Sequence, residues 1–165
     1  MLEAEKFDLV VCYGGALSYV LEQAGIALDE MLRVLKPEGY LLLSVMSLIG
    51  TTQKYFEAIA QSPNFTQLVE RVNSDGFLYR DDNNSLKMYR AKELKQLLQS
   101  HKCVIIAISA YNYLSLNRNK FLEGNAIATD VWSDFLQWEL DFCTEDGCLD
   151  GGTHIIAVVK KAFNC

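Results

Sequence analysis

Residues 7–48 constrain the fold more than any other part of the sequence. "FDLVVC" (7–12) is a short apolar run closed by Gly14-Gly15, and "YLLLSVMSL" (40–48) is a second such run. Between them Leu17, Val20, Leu21, Ala24, Leu28, Met31, Leu32 and Leu35 recur at three- and four-residue steps. That spacing predicts a helix over 16–35, with Ser18 as its N-cap. Gly25 is the expected weak point, because glycine costs a helix about 1 kcal/mol relative to alanine. Pro37 cannot continue the helix and Gly39 supplies the turn. Strand, helix and strand in so short a span imply a right-handed βαβ unit with parallel strands. A strand of that kind is covered by helices on both sides, so "FDLVVC" is expected to be buried on both faces.

The rest of the chain continues the alternation. Residues 50–76 predict one or two helices, split at Ser62-Pro63-Asn64, and the polar stretch 75–90 reads as loop. "AKELKQLLQS" (91–100) is a short amphipathic helix that feeds a third strand, "CVIIAISAY" (103–111). A polar loop runs through Asn125, and 129–143 is helical with Trp132, Phe135, Leu136 and Leu140 on one side. The aromatic stripe from Trp132 to Phe142 is read first as core packing and second as a substrate wall. "THIIAVVKK" (153–161) is a final strand. No repeat or composition shift divides the chain, which therefore reads as one domain over 1–165.

Charge and cysteines exclude several functions. A formal net charge of -6 without a run of Lys or Arg argues against nucleic-acid partners and against an anionic membrane surface. The apolar runs are too short to span a bilayer, and no charged segment leads into an apolar stretch at Met1 as a secretory signal would. Five cysteines include no C-x-x-C pair, and Cys143 and Cys148 have no neighbouring His, so no metal site is expected. Cys12 and Cys103 sit in apolar runs as buried thiols, and the set reads as reduced and cytoplasmic.

The pattern resembles a known family. "FDLVVCYGGALSYV" followed by "ALDEMLRVLKPEGYLLLSV" is similar to the second half of a class I S-adenosylmethionine-dependent methyltransferase. Glu30, Arg33, Val34, Leu35, Lys36, Pro37 and Gly39 fill that family's "E-x-x-RVLKPGG" element, with Glu38 where glycine is commoner. "YRAKELKQLLQSHKCVII" looks like its later helix and sixth strand, and "THIIAVVKK" like its seventh. The resemblance implies an α/β fold: a partial Rossmann-like sheet equivalent to strands four to seven, the last antiparallel. It implies S-adenosylmethionine as cofactor and a small-molecule methyl acceptor. The Gly-rich loop of the family's first strand has no counterpart here, and the residues before Phe7 cannot hold strand, loop and helix. A truncated or split chain, inactive without a complementary N-terminal half, is therefore expected.

The same resemblance points to site residues. Cys12, Tyr13, Gly14, Gly15 and Ser18 fall where the cofactor would lie, although a tight turn alone would also require the glycines. Tyr19, Met46, Tyr89 and Arg90 are substrate-side candidates, with Ser47, Tyr79, Arg80 and Met88 nearby. Packing for Tyr19 and solvation for Arg90 are the plainer alternatives. His154 opens the last strand and is the candidate general base, against a structural role. A non-enzymatic reading stands beside these: a module that forms a homodimer through the bare edge of "FDLVVC".

Overall fold

The computed structural model describes residues 2–78, 85–101, 103–118 and 129–162; Tyr79, Arg80 and the loop around Asn125 lie outside the described residues. The chain runs β1 (Phe7–Cys12), α1 (Ala16–Tyr19), a 3-10 turn (Leu21–Gln23), α2 (Ala24–Val34) and β2 (Leu35–Met46). It continues through α3 (Leu48–Lys54), α4 (Phe56–Ala60), α5 (Phe65–Asp75), β3 (Phe77–Leu78), β4 (Leu86–Lys87) and α6 (Ala91–Ser100). It ends with β5 (Cys103–Tyr111), α7 (Thr129–Phe142) and β6 (His154–Lys161).

One sheet has the order β1-β2-β6-β5. β1 and β2 are parallel, as expected of the βαβ unit, and β6 runs antiparallel to both of its neighbours. Among the described residues, helices cover one face only. Leu28 and Leu32 of α2 and Leu94 and Leu98 of α6 pack on Leu41, Leu43, Val45, Ile155, Ala157 and Val159. The opposite face carries exposed apolar side chains among the described residues. Leu9, Val11, Val104 and Ile106 are each about half exposed (51%, 55%, 51% and 52%). The expected two-sided burial of "FDLVVC" is therefore wrong. Its apolar residues alternate between the core and an uncovered face, and β1 pairs with β2 alone among the described strands.

Three details of the βαβ unit also differ from expectation. The predicted single helix breaks at Val20–Leu21 rather than at Gly25, because Leu21 adopts φ 51, a left-handed value that ends the helical run. Ser18 is not the N-cap. Gly15 holds that position at φ 73, and Ser18 is fully buried within α1, where its Oγ accepts the Met46 N–H at 2.9 Å. After α2 the left-handed residue is Glu38 (φ 65), not Gly39. Residues 36–39 bulge out of β2 between the pairs Phe7–Leu35 and Leu9–Tyr40, and Glu38 meets Lys160 at 2.7 Å. Gly39 is needed for close packing instead: a Cβ there would lie 2.9 Å from the Leu35 side chain.

The polar stretch 75–90 holds more structure than expected. β3 and β4 pair antiparallel, and Leu78, Leu86 and Met88 join Met46, Leu48 and Val72 in a second small core. The three apolar residues are too sparse to register as strands. α7 carries the largest correction. None of its described side chains is buried, and Trp138 and Leu140 are 61% and 64% exposed. Its rings instead stack along the helix, Trp132 on Phe135 at 5.7 Å and Trp138 on Phe142 at 6.1 Å. Core packing by this stripe does not occur. No helix among the described residues is long and apolar enough to cross a membrane.

Candidate active site

The sheet brings four strand ends to one place. β1 ends at Cys12, β2 at Met46 and β5 at Tyr111, while antiparallel β6 starts there at His154. His154 lies opposite Met46 on one side and opposite Tyr111 on the other. A cleft of about 340 Å³ opens at this edge, lined by Tyr13, Gly14, Ser44, Tyr111, His154 and Ile156. A ligand of an open parallel α/β sheet is expected outside the carboxyl ends of its strands.

The turn after β1 shapes the cleft. Gly14 and Gly15 have φ 74 and 73, values that L side chains avoid. A Cβ on Gly14 would meet nothing within 4 Å, so that backbone faces open space. A Cβ on Gly15 would press on Met46 Sδ at 3.2 Å and His154 Nε2 at 3.4 Å. The Gly15 N–H donates to Ser44 Oγ at 3.2 Å, which pins the turn to the last part of β2. Ser44 is the lone aliphatic hydroxyl in "YLLLSVM", and that polar interruption of a buried strand was its one visible signal.

The expected site residues separate into groups. Tyr13, Gly14 and His154 line the cleft, and beside it Gly15 packs against Met46 and His154. The Cys12 side chain packs toward the helical core, and burial pushes its thiol up, partly offset by the Leu17 backbone. Ser18 is a buried strut with its hydroxyl committed to Met46. Tyr19 is half exposed on α1. Tyr89 sits in the core, its phenol pushed up to about 12 by burial and then by Glu93. Its backbone binds the end of β2, the Tyr89 N–H donating to the Met46 carbonyl at 2.8 Å. Met88 is fully buried, and Ser47 caps α3, accepting from Gly50 N–H. Arg90 pairs with Glu93 at 3.4 Å in the first turn of α6. Tyr111 and Ile156 at the cleft, and Asn112 and Thr153 in the hydrogen-bond chain to His154, were missed, because only the β5–β6 pairing brings them together.

His154 is half-buried, and its pKa is held below the ordinary imidazole value by burial and then by the charge of Lys54. Its ring lies edge-on to Tyr111 with centroids 6.0 Å apart. The thiol of Cys103, far from the cleft, is pushed up to about 11 by burial and by Asp29. Among the described residues no group of three or more His, Cys, Asp or Glu side chains converges as a metal site would require.

This sheet, with a glycine turn and strand ends at one edge, has the Rossmann-like fold of solved methyltransferases. Residues 1–43 match the family described as "Methyltransferase domain". The fold is shared with solved methyltransferases. Burkholderia thailandensis 1,6-didemethyltoxoflavin-N1-methyltransferase is 12% identical with a TM-score of 0.54, and the match covers 99% of this chain and 47% of that one. A Methanosarcina mazei methyltransferase is 14% identical with a TM-score of 0.54, covering 99% and 63%. A possible histamine N-methyltransferase from Thermotoga maritima is 12% identical with a TM-score of 0.52, covering 97% and 58%. The chain thus spans about half to three-fifths of these structures. No curated protein sequence matches it.

Proposed function

We propose that this chain supplies one wall of an S-adenosylmethionine-dependent methyltransferase site that acts on a small molecule. The observation that carries this reading is the left-handed Gly14-Gly15 turn facing the cleft at the carboxyl end of β1. The backbone of Tyr13, Gly14 and Gly15 would hold the cofactor, with Met46 beneath it. When bound, S-adenosylmethionine supplies a methyl group made electrophilic by its sulfonium. The chain's own residues position an acceptor between the Tyr13 and Tyr111 rings, and positioning for in-line attack supplies much of the rate. The wall beyond β1 comes from chain outside these elements, a complementary half that pairs with the bare β1 edge. The chain is inactive without it.

This reading fixes the expected affinity. A micromolar ligand is bound with about -8 kcal/mol, and half of that is about -4 kcal/mol, a millimolar Kd. Titrating the ¹⁵N-labelled chain with S-adenosylhomocysteine should therefore move the amides of Tyr13–Gly15 and Met46 in the millimolar range. Absence of any such shift sinks the cofactor reading, and micromolar affinity sinks the requirement for a second wall.

A second reading, a non-enzymatic module that forms a homodimer, is favoured by the exposure of Leu9 and Val11 on the unpaired β1 edge. Sedimentation velocity at tens of micromolar should then show a dimer that Val11→Lys converts to monomer. A wild-type chain that sediments as a monomer removes this reading.

A further inference from the structure

Hydrogen bonds around His154 fix which of its ring nitrogens carries the proton. The Thr153 backbone N–H reaches the Asn112 side chain at 2.9 Å, and an N–H requires an acceptor, so the atom it meets is Oδ1. Thr153 Oγ1 lies 3.0 Å from that same oxygen. Oδ1 has only lone pairs, so the Thr153 hydroxyl spends its single proton there. Thr153 Oγ1 is also 3.1 Å from His154 Nδ1. With its proton committed, the hydroxyl can only accept from Nδ1–H. The neutral imidazole is therefore the Nδ1–H tautomer, with its lone pair on Nε2.

That lone pair is placed for use. Nε2 makes no hydrogen bond among the described residues and is not fully enclosed, and His154 is one of the residues that line the cleft. Nε2 lies beside Gly15, 3.4 Å from where a Cβ would stand. Asn112 is held in the left-handed region at φ 56, a conformation that asparagine tolerates better than most residues. The network is stacked further by Thr51, whose Oγ1 donates to the Thr153 carbonyl at 3.0 Å. Tyr13, Tyr111 and Ile156 make the remaining walls mostly apolar, with Ser44 the other polar side chain. Lys54 is the nearby cation, which disfavours a positively charged acceptor.

We infer that His154 Nε2 accepts the proton of a neutral aromatic hydroxyl bound in this cleft, with Thr153 and Asn112 as positioning residues that set its tautomer. The inference rests on the methyltransferase reading for the fate of that hydroxyl. The phenolic oxygen forms a bond to the methyl carbon, the sulfur–carbon bond breaks and its electron pair stays on sulfur. The phenolic proton passes to Nε2, giving an imidazolium whose Nδ1–H remains bound to Thr153. A cleft of about 340 Å³ is at the small end of ligand pockets and has room for a substituted ring.

Ring ¹⁵N spectra of the full chain test this without any cofactor. Only His101 and His154 contribute signals, and His101→Gln assigns them. His101 serves as internal reference, since its Nδ1 meets the Asp29 carboxylate at 2.6 Å and must carry a proton there. His154 should show a protonated Nδ1 and an unprotonated Nε2 above its pKa. Asn112→Gly suits the φ of this position and removes only the amide, freeing the Thr153 proton for Nδ1 and shifting the ring toward Nε2–H. Thr153→Val should shift it likewise, and Thr153→Ser should keep the wild-type pattern. 4-Methylphenol should then move the Nε2 resonance, whereas toluene, which lacks the hydroxyl, should not. An Nε2–H ring in the wild type, unchanged tautomers in both variants, or no distinction between the two probes each overturns the proposal. Because the spectra contain no S-adenosylmethionine, such a failure is separate from a failed S-adenosylhomocysteine titration.

Discussion

Gly50→Ala should cost at least about 3 kcal/mol of stability, read as a fall in the urea midpoint. Gly50 lies in α3, fully enclosed, and a Cβ there would stand 1.8 Å from the Gly152 carbonyl oxygen and 2.8 Å from that of Gly151. Neither oxygen belongs to a flexible side chain. The turn cannot retreat, because a Cβ on Gly152 would itself lie 2.0 Å from the Tyr111 carbonyl oxygen. Three backbone layers are therefore stacked at contact distance. Making room breaks the bonds that join them: Gly50 N–H to Asp150 O at 2.9 Å, Ser47 N–H to Thr153 O at 2.9 Å and Thr51 Oγ1 to Thr153 O at 3.0 Å. Each such bond contributes about 0.5–1.5 kcal/mol, and overpacking adds about 1–3 kcal/mol. A loss below about 1 kcal/mol would show that the 150–153 turn is free to move, and with it the argument that His154 is rigidly held.

Leu94→Ala should cost about 2–5 kcal/mol, the range for emptying a sealed leucine site. Leu94 is completely buried between α6 and the sheet, in the core it shares with Leu98, Ile155 and Val159. Leu140→Ala on α7 should change stability by no more than about 0.5 kcal/mol, since that side chain is 64% exposed. Both leucines belong to apolar stripes of helical period, so the comparison separates covered stripes from uncovered ones. Equal losses in the two variants would contradict the exposure of α7.

That contrast marks how far the sequence could be read. The extents of α6, β5 and β6 were legible because an amphipathic helix and two dense apolar runs each have a single interpretation. The tight turn after β1 was legible too, since Gly14-Gly15 closes the apolar run and both glycines take positive φ. What pairs with or covers an element was not. Leu9 and Val11 look the same in sequence whether a helix lies over them or not, and so do Trp138 and Leu140. Hydrophobic pattern reports a demand for burial, not its fulfilment within the same 165 residues. Glu38 was hidden by its neighbour Gly39, the more ordinary choice for positive φ. The Asn112–Thr153–His154 chain was invisible for another reason. Asn112 and Thr153 stand 41 residues apart, and only the antiparallel register of β5 and β6 makes them partners.

The position of β6 also has a consequence for time. It is the last of the described strands in sequence, yet it lies between β2 and β5, so it has two neighbours to satisfy at once. Until it arrives, β2 has no partner on that side and β5 has none in the sheet. At ribosomal rates of about 5–20 residues per second, the interval between the end of β2 and the start of β6 is roughly 5–20 s. Contacts that span so much chain also form slowly in refolding. During that wait Leu41, Leu43 and Val45 have no cross-strand neighbour from β6. The strand that ends the wait begins with His154, so closure of the sheet and assembly of the site are a single event.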